Sequence, residues 1–238
     1  MAQPRRESTP DEPHHRDVSG GRLRPAVFGA MDGLVTNVSL ISGVGGGGGT
    51  RHIVVLTGLA GLVAGAFSMA TGEFTSVRSQ NELVGSEVDV ERRSLADHPE
   101  QERREMVIAL TQQGVEVELA QQVAQQISIE PNNALRFHTQ EELGVDPDQL
   151  PSPYQAAGSS FISFAIGAFI PLLPYLLGAT VLWISLVAAA IALVVSGAAV
   201  ARLTGRSMVH GAVRQVALAA LSAGVTYGVG RAIGASVS

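Results

Sequence analysis

Apolar residues are concentrated in four long stretches that carry almost no charge, and polar segments separate these stretches. They cover residues 27–44, 53–74, 154–201 and 208–229. A helix that crosses a membrane needs about 20 predominantly apolar residues. The third stretch contains no charged residue and is long enough for two crossings, with a turn indicated near Pro171, Pro174 and Gly178. The pattern therefore predicts five membrane-spanning helices. It disfavours a soluble helical core, which does not need such long charge-free runs.

Residues 81–150, which we call the insert, separate the second predicted crossing from the third and differ sharply in composition. They hold fifteen acidic residues and five Arg, a net charge of about −10, whereas the whole chain carries −5. A Pro followed by two Glu marks a helix start. A later run places Leu119, Val123 and Ile127 on one helical face. We therefore predict three or four short helices in the insert, the first of them continuing the second crossing past Arg78.

The positions of the Arg residues predict how the chain is oriented. Five Arg precede the first crossing and two lie between the fourth and fifth, whereas the connection between the first two crossings has only Arg51. The positive-inside rule therefore places the N-terminus, the insert and the 202–207 loop in the cytoplasm, and the C-terminus on the outer side. No cleavable signal is recognised, and Lys is absent. We expect a multi-pass protein of a bacterial inner (plasma) membrane rather than of a vacuole.

Two of the predicted crossings contain carboxylates. Asp32 lies inside the first, and a carboxylate at the middle of a bilayer costs at least ~2.5 kcal/mol, so such a residue indicates a functional site. Gly29 and Gly33 flank it and allow a neighbouring helix to approach closely. In the second crossing, a Met and a Glu four residues apart share one helical face. The residues of the predicted ion path are Asp32, Met69, Glu73 and Asn37.

The chemistry of these side chains predicts a divalent cation as the ligand. Carboxylates suit hard or borderline ions, and a thioether favours ions softer than Mg²⁺ or Ca²⁺, so Fe²⁺ and Mn²⁺ fit both. A buried carboxylate also has a raised proton affinity, and metal binding should therefore release protons. The alternative is that Asp32 and Glu73 form structural hydrogen bonds within the membrane and that Met69 fills space.

The insert carries a second group of candidate ligands. Glu102 and Glu105 are three residues apart on one predicted helix, and further acidic residues and a His lie on the helices before and after it. Carboxylates that converge from different helices bind metal ions in helical bundles. Spacing alone leaves an alternative open, since an acidic run usually forms a solvated face. The predicted metal ligands of the insert are Glu91, Glu102, Glu105, Glu142, His138 and Glu141.

Together, these patterns predict an all-α, polytopic membrane protein. It has five transmembrane helices and a cytoplasmic, helical, metal-binding insert between the second and the third. The predicted division is a disordered cytoplasmic arm over residues 1–24, transmembrane helices 1–2 over 25–80, the insert over 81–150 and transmembrane helices 3–5 over 151–238.

Four motifs of the chain resemble those of the vacuolar iron transporter family, also described as CCC-like iron and manganese transporters. The first two crossings contain FGAMDGLVTNVSLISG and GAFSMATGEFTSVRSQ. The motif EPNNALRFHTQEELGVDP precedes the third crossing, and IGAFIPLLPYLLG lies within it. The likeness runs from about Pro25 to the C-terminus, and we expect a bacterial member.

The resemblance implies a homodimer of five-helix subunits, with the ion path between the first helices of the two protomers. It implies that Fe²⁺, often with Mn²⁺, Co²⁺ or Zn²⁺, leaves the cytoplasm as substrate in exchange for protons, with no prosthetic group. Asp32 and Met69 match the family's pore residues, and Glu73 stands at a position that is acidic in family members. The glutamates of the family's cytoplasmic metal-binding helices match Glu91, Glu102, Glu105 and Glu142.

The chain departs from the family pattern at two positions. Ser94 stands where a further Glu is expected, and His138 falls in a stretch where some members use Met. Both changes bear on the number and identity of the captured ions, and His itself can ligate Fe²⁺ or Zn²⁺. No ferritin-like helical bundle precedes Pro25, so oxidation chemistry is not expected.

The main hypothesis is a proton-coupled exporter of Fe²⁺ and Mn²⁺ whose partners are lipid, divalent metal ions, protons and a second copy of itself. The alternative is a membrane-anchored iron sensor or storage protein without transport, in which only the insert matters. No nucleophile–base pair or cofactor motif predicts an enzyme. The absence of Cys excludes thiolate chemistry, and the acidic insert disfavours nucleic acid as a partner.

Overall fold

The computed structural model describes residues 23–237, and these residues form eight α-helices and one 3-10 turn with no strand among them. The predicted arm over 1–24 therefore lies outside the described residues, apart from its last two, which begin the first helix. The helices are α1 (Leu23–Gly46), α2 (Arg51–Asp97), α3 (Pro99–Gln112), α4 (Val117–Ile127), α5 (Pro131–Glu142), α6 (Pro153–Leu176), α7 (Leu182–Leu203) and α8 (Met208–Val237), with the 3-10 turn at Pro147–Gln149.

Five of these helices, α1, α2, α6, α7 and α8, are long and apolar enough to cross a membrane. The predicted all-α fold with five such helices is confirmed. α1 is the central helix, since it packs against each of the other four. α2 has 47 residues, about 70 Å at 1.5 Å per residue, which is more than twice the ~30 Å hydrocarbon core of a bilayer. Its second half therefore forms the first helix of the insert, as predicted.

Glycines bring α1 and α6 into backbone contact. A Cβ atom added to Gly33 would fall on the carbonyl oxygen of Phe164, and one added to Gly167 would fall on that of Ala30. Gly29 faces the carbonyl oxygen of Ser160 in the same way, at 2.7 Å from an added Cβ. The predicted close approach beside Asp32 is therefore confirmed. Small residues drive such packing in membranes, because helices gain van der Waals contact when their backbones touch.

We expect Gly33→Ala to destabilise the protein strongly. The added methyl group meets backbone rather than a flexible side chain, so the cost should reach or exceed the roughly 1–3 kcal/mol usual for overpacking. Gly228→Ala is the matched control, because a Cβ there meets nothing within 4 Å. The measurement is the apparent melting temperature of the purified protein in detergent. Equal melting temperatures for the two variants would contradict the contact between α1 and α6.

The turn predicted near Pro171, Pro174 and Gly178 lies at the last of these three residues. α6 continues through both prolines and ends at Leu176, and Gly178 in the turn that follows has a φ of +108°. Packing against neighbouring helices allows proline within a membrane helix. In α4 the predicted apolar face includes Leu119, which is 53% exposed. The buried residues of α4 are small alanines, and these allow α3 to approach closely.

Candidate metal centre

Three helices of the insert converge at one point. α2 supplies Glu91, α3 supplies Glu102, and α5 supplies His138 and Glu142, which are one turn apart. One candidate ligand atom from each of the four residues lies within 4.8 Å of the others. We call this group the Glu–His cluster. It joins residues that are up to 51 positions apart in sequence, and it exists because α5 packs against both α2 and α3.

His138 is the centre of the cluster. Its Nδ1 atom lies 3.4 Å from Oε1 of Glu91, 3.6 Å from Oε2 of Glu102 and 3.5 Å from Oε1 of Glu142. The side chain is 2% exposed, and Nε2 is buried without a hydrogen-bond partner among the described residues. A buried imidazole that turns one nitrogen to three carboxylates is poised to ligate a cation, because neutral His and ionised carboxylates are metal ligands.

Ser94 orients one of the carboxylates. Its hydroxyl donates a hydrogen bond of 2.5 Å to Oε1 of Glu102, which directs Oε2 towards His138. That oxygen is buried and accepts no hydrogen bond from the described residues. The sequence marked Ser94 only as a departure from an expected Glu, and no local signal indicated that its hydroxyl holds Glu102. Outer-shell hydrogen bonds of this kind orient ligands at metal sites.

The crowding of acidic groups changes the proton affinity of Glu91. Burial, followed by the charges of Glu142 and Glu102, raises the pKa of its carboxyl from the ordinary 4.5 to about 7, and this value already includes the opposing effect of His138. Without a cation, the cluster therefore tends to hold a proton near neutral pH. A divalent ion would replace that proton and offset the repulsion among the carboxylates.

Glu105 and Glu141 lie outside the Glu–His cluster. Glu105 accepts a hydrogen bond of 3.0 Å from Gln101 Nε2, and Glu141 accepts one of 3.0 Å from Gln113 Nε2. Both line an adjoining pocket of about 220 Å³ that His138 also borders. The structure therefore brings together four of the six predicted ligands and places the other two beside the adjoining pocket.

In the membrane-spanning part, Asp32 lies on an exposed face of α1. Thr36 Oγ1 donates a hydrogen bond of 3.2 Å to Oδ1 of Asp32. None of the ion pairs within residues 23–237 includes Asp32. The carboxylate is thus neither buried in the helix packing nor neutralised by an Arg, and it remains open to a partner or an ion.

The other predicted path residues lie in different environments. Met69 is half-buried and packs against the contact between α2 and α6, and Glu73 is half-buried one turn further along α2. Asn37 is completely buried, and its Nδ2 donates a hydrogen bond of 2.5 Å to the carbonyl oxygen of Ala168. Five residues along a helix correspond to about 140° of rotation. Asn37 therefore faces α6, on a different side of α1 from Asp32.

Comparison with known proteins identifies relatives that match most of the chain. A family model, that of the VIT family, matches residues 23–231. A vacuolar iron transporter of Acanthamoeba castellanii is 34% identical over 230 residues, which cover 92% of this chain and 82% of the relative. Vacuolar iron transporter homolog 1 of Oryza sativa subsp. japonica is 35% identical over 212 residues, 87% of this chain and 72% of the relative. Vacuolar iron transporter 1 of Arabidopsis thaliana is 32% identical over 170 residues, which cover 69% of this chain and 67% of the relative.

Proposed function

The chain belongs to the VIT family, and on this basis we propose that it is an iron transporter. It is a multi-pass membrane protein, and the relatives reported above are vacuolar iron transporters by name. The proposed substrate is Fe²⁺, with Mn²⁺ as a second substrate. The proposed direction is out of the cytoplasm in exchange for protons, with the insert on the cytoplasmic side of a bacterial inner membrane. No enzymatic activity is part of the proposal.

The observation that carries the proposal is the Glu–His cluster. Three carboxylates surround one buried imidazole nitrogen, and two of the carboxylate oxygens are buried without hydrogen-bond donors. Buried charges are retained where they are paired or coordinate a metal. Oxygen and imidazole ligands together suit Fe²⁺, Mn²⁺, Co²⁺ and Zn²⁺, whereas Mg²⁺ is bound mainly by oxygen and water. We infer that the cluster collects such an ion from the cytoplasm.

The proposed path follows the exposed face of α1. Phe28, Asp32 and Leu40 are exposed there at four- and eight-residue spacings. A carboxylate that faced lipid would cost at least ~2.5 kcal/mol. A second copy of the chain would remove that cost by covering this face, and it would place two Asp32 carboxylates around a shared path. In this proposal Met69 and Glu73 of α2 continue the path, while Asn37 joins α1 to α6.

The test is metal flux into liposomes that contain the purified protein and a metal-sensitive dye. We expect uptake of Fe²⁺ and Mn²⁺ but not of Mg²⁺, and we expect faster uptake when a pH gradient supplies protons for exchange. Metal binding by the protein without flux of any ion would contradict transport and would support the alternative of a sensor or store. Flux that is equally fast with and without a pH gradient would contradict proton coupling but not metal transport.

Ion binding by the cluster is expected to depend on pH. The pKa of Glu91 is raised to about 7 in the folded, ion-free protein. Protonation of this carboxyl therefore stabilises the folded state at low pH, and this stabilisation is lost as the pH rises from about 4.5 to 7. An ion must displace the proton, so its affinity should fall roughly 10- to 30-fold between pH 7.5 and pH 5.5. Titration with Co²⁺ at the two pH values measures this change.

Glu91→Gln is the control for the pH titration, because the amide cannot be deprotonated. This variant should bind Co²⁺ more weakly at pH 7.5 and should show a smaller change between the two pH values. An affinity of the parent protein that is the same at pH 5.5 and pH 7.5 would contradict the assignment of Glu91 as a ligand.

A further inference from the structure

A groove lies between α7 and α8. At the end near the insert, Gly197 and Gly211 pack backbone to backbone, and a Cβ added to Gly197 would lie 2.7 Å from the carbonyl oxygen of Gly211. Towards the opposite end, residues of both helices line the groove, and Val38 and Ser42 of α1 form its floor. This groove has a volume of about 610 Å³.

The walls of the groove are almost entirely apolar. Four of the six lining residues of α8 are Ala or Gly, and two of the six from α7 are Ala, so the space is present because small side chains leave it unfilled. The floor residue Ser42 uses its hydroxyl within α1, since it donates a hydrogen bond of 2.7 Å to the carbonyl oxygen of Val38. The groove therefore offers no buried polar partner that an ion or a polar ligand would require.

The length of the groove matches one leaflet of a bilayer. Along α7 it extends from Leu182 to Leu193, about 16 Å at 1.5 Å per residue, which is about half of the ~30 Å hydrocarbon core. A volume of about 610 Å³ over that length leaves room for a hydrocarbon chain.

Two amphipathic aromatic residues stand at the open end of the groove. Trp183 is 63% exposed and Tyr227 is 38% exposed, on α7 and α8 respectively. Both are near the membrane face opposite the insert, because α7 begins at Leu182 after α6 has run away from the insert. Trp and Tyr prefer the level of the lipid headgroups. Their positions place the mouth of the groove at that interface and its closed end near the middle of the bilayer.

We propose that this groove is a lipid-binding site that holds one acyl chain of a phospholipid from the leaflet opposite the insert. The chain lies between α7 and α8 against Val38 of α1, and the headgroup lies beside Trp183 and Tyr227. Bound in this way, the lipid fills the space that the two helices leave between them over α1. This inference does not depend on the transported ion.

The test uses Trp183, which is the only Trp of the chain, as a fluorescent reporter. The full-length protein in dodecyl maltoside micelles is titrated with phosphatidylcholine whose acyl chains are brominated, since bromine quenches Trp fluorescence on contact. We expect quenching that saturates near one lipid per protomer, and we expect unbrominated phosphatidylcholine to reverse it. Quenching that rises in proportion to the lipid content of the micelle, without saturation, would show contact with bulk lipid only and would overturn the proposal.

Ala220→Phe and Ala217→Phe form a matched pair of variants on α8. Ala220 lines the groove, whereas Ala217 is exposed on α8 outside it. We expect Ala220→Phe to lose the saturable quenching and Ala217→Phe to keep it. Saturable quenching that survives in a folded Ala220→Phe variant would overturn the proposal, as would a lower oligomeric mass of that variant, which would assign the groove to a second copy. If Ala220→Phe does not fold, reversal by unbrominated lipid in the parent decides the question.

Discussion

Asp32→Asn is expected to abolish metal flux while the insert still binds ions. The substitution keeps the shape of the side chain and the hydrogen bond from Thr36, which is 3.2 Å in the parent, but it removes the negative charge that would meet the cation. A cation within the bilayer needs such a charge, because a charge at the bilayer centre costs at least ~2.5 kcal/mol. We expect flux of Fe²⁺ in liposomes to fall at least roughly 100-fold, which corresponds to about 2.7 kcal/mol.

Two further variants are the controls for the flux measurement on Asp32→Asn. Asp32→Glu keeps the charge and should retain part of the flux. Glu82→Gln removes an acidic side chain from the exposed surface of α2, where Glu82 pairs with Arg78, and it should transport like the parent. Flux of Asp32→Asn equal to that of the parent would remove Asp32 from the path, and the proposed role of the α1 face would be lost with it.

Glu102→Gln is expected to lower the affinity of the insert for Co²⁺ or Fe²⁺ by at least roughly 10- to 100-fold, the effect of removing an outer-shell partner at other metal sites. Gln keeps the acceptor for the Ser94 hydroxyl but removes one of the three charges around His138. The variant should fold at least as well as the parent without metal, because it has less repulsion among acidic groups. Isothermal titration under anaerobic conditions measures the affinity.

Glu100→Gln is the matched control for Glu102→Gln. Glu100 lies two residues earlier on α3, where it is exposed and pairs with Arg103 at 2.5 Å, so its loss should leave the affinity unchanged. Equal weakening by both substitutions would indicate a general effect of the acidic surface and would contradict a discrete site at the Glu–His cluster. A change in Glu102→Gln alone would support the cluster.

The candidate site was only partly predictable from the sequence. The spacing of Glu102 and Glu105 indicates that the two share a helical face, but it does not indicate that Glu102 turns inward to His138 while Glu105 pairs with Gln101. Asn37 and Asp32 stand in one motif, yet α6 buries only Asn37. The sequence indicates only that Ser94 stands where a Glu is expected, whereas in the structure its hydroxyl donates a hydrogen bond to Glu102. These differences concern which face of a helix meets which neighbour.

Three properties could be predicted from the sequence alone: the number of helices long enough to span a membrane, the all-α class and the extension of α2 into the insert. These properties are local, because the length and apolarity of a stretch and the residues at its ends decide whether it forms a spanning helix. The packing of the helices was needed to show that Glu91, Glu102, His138 and Glu142 meet, that Asp32 lies on an open face, and that a groove lies between α7 and α8. Those outcomes depend on backbone contacts between distant segments, such as that of Gly33 with Phe164. The periodicity of one helix contains no information about the partner that such a contact selects.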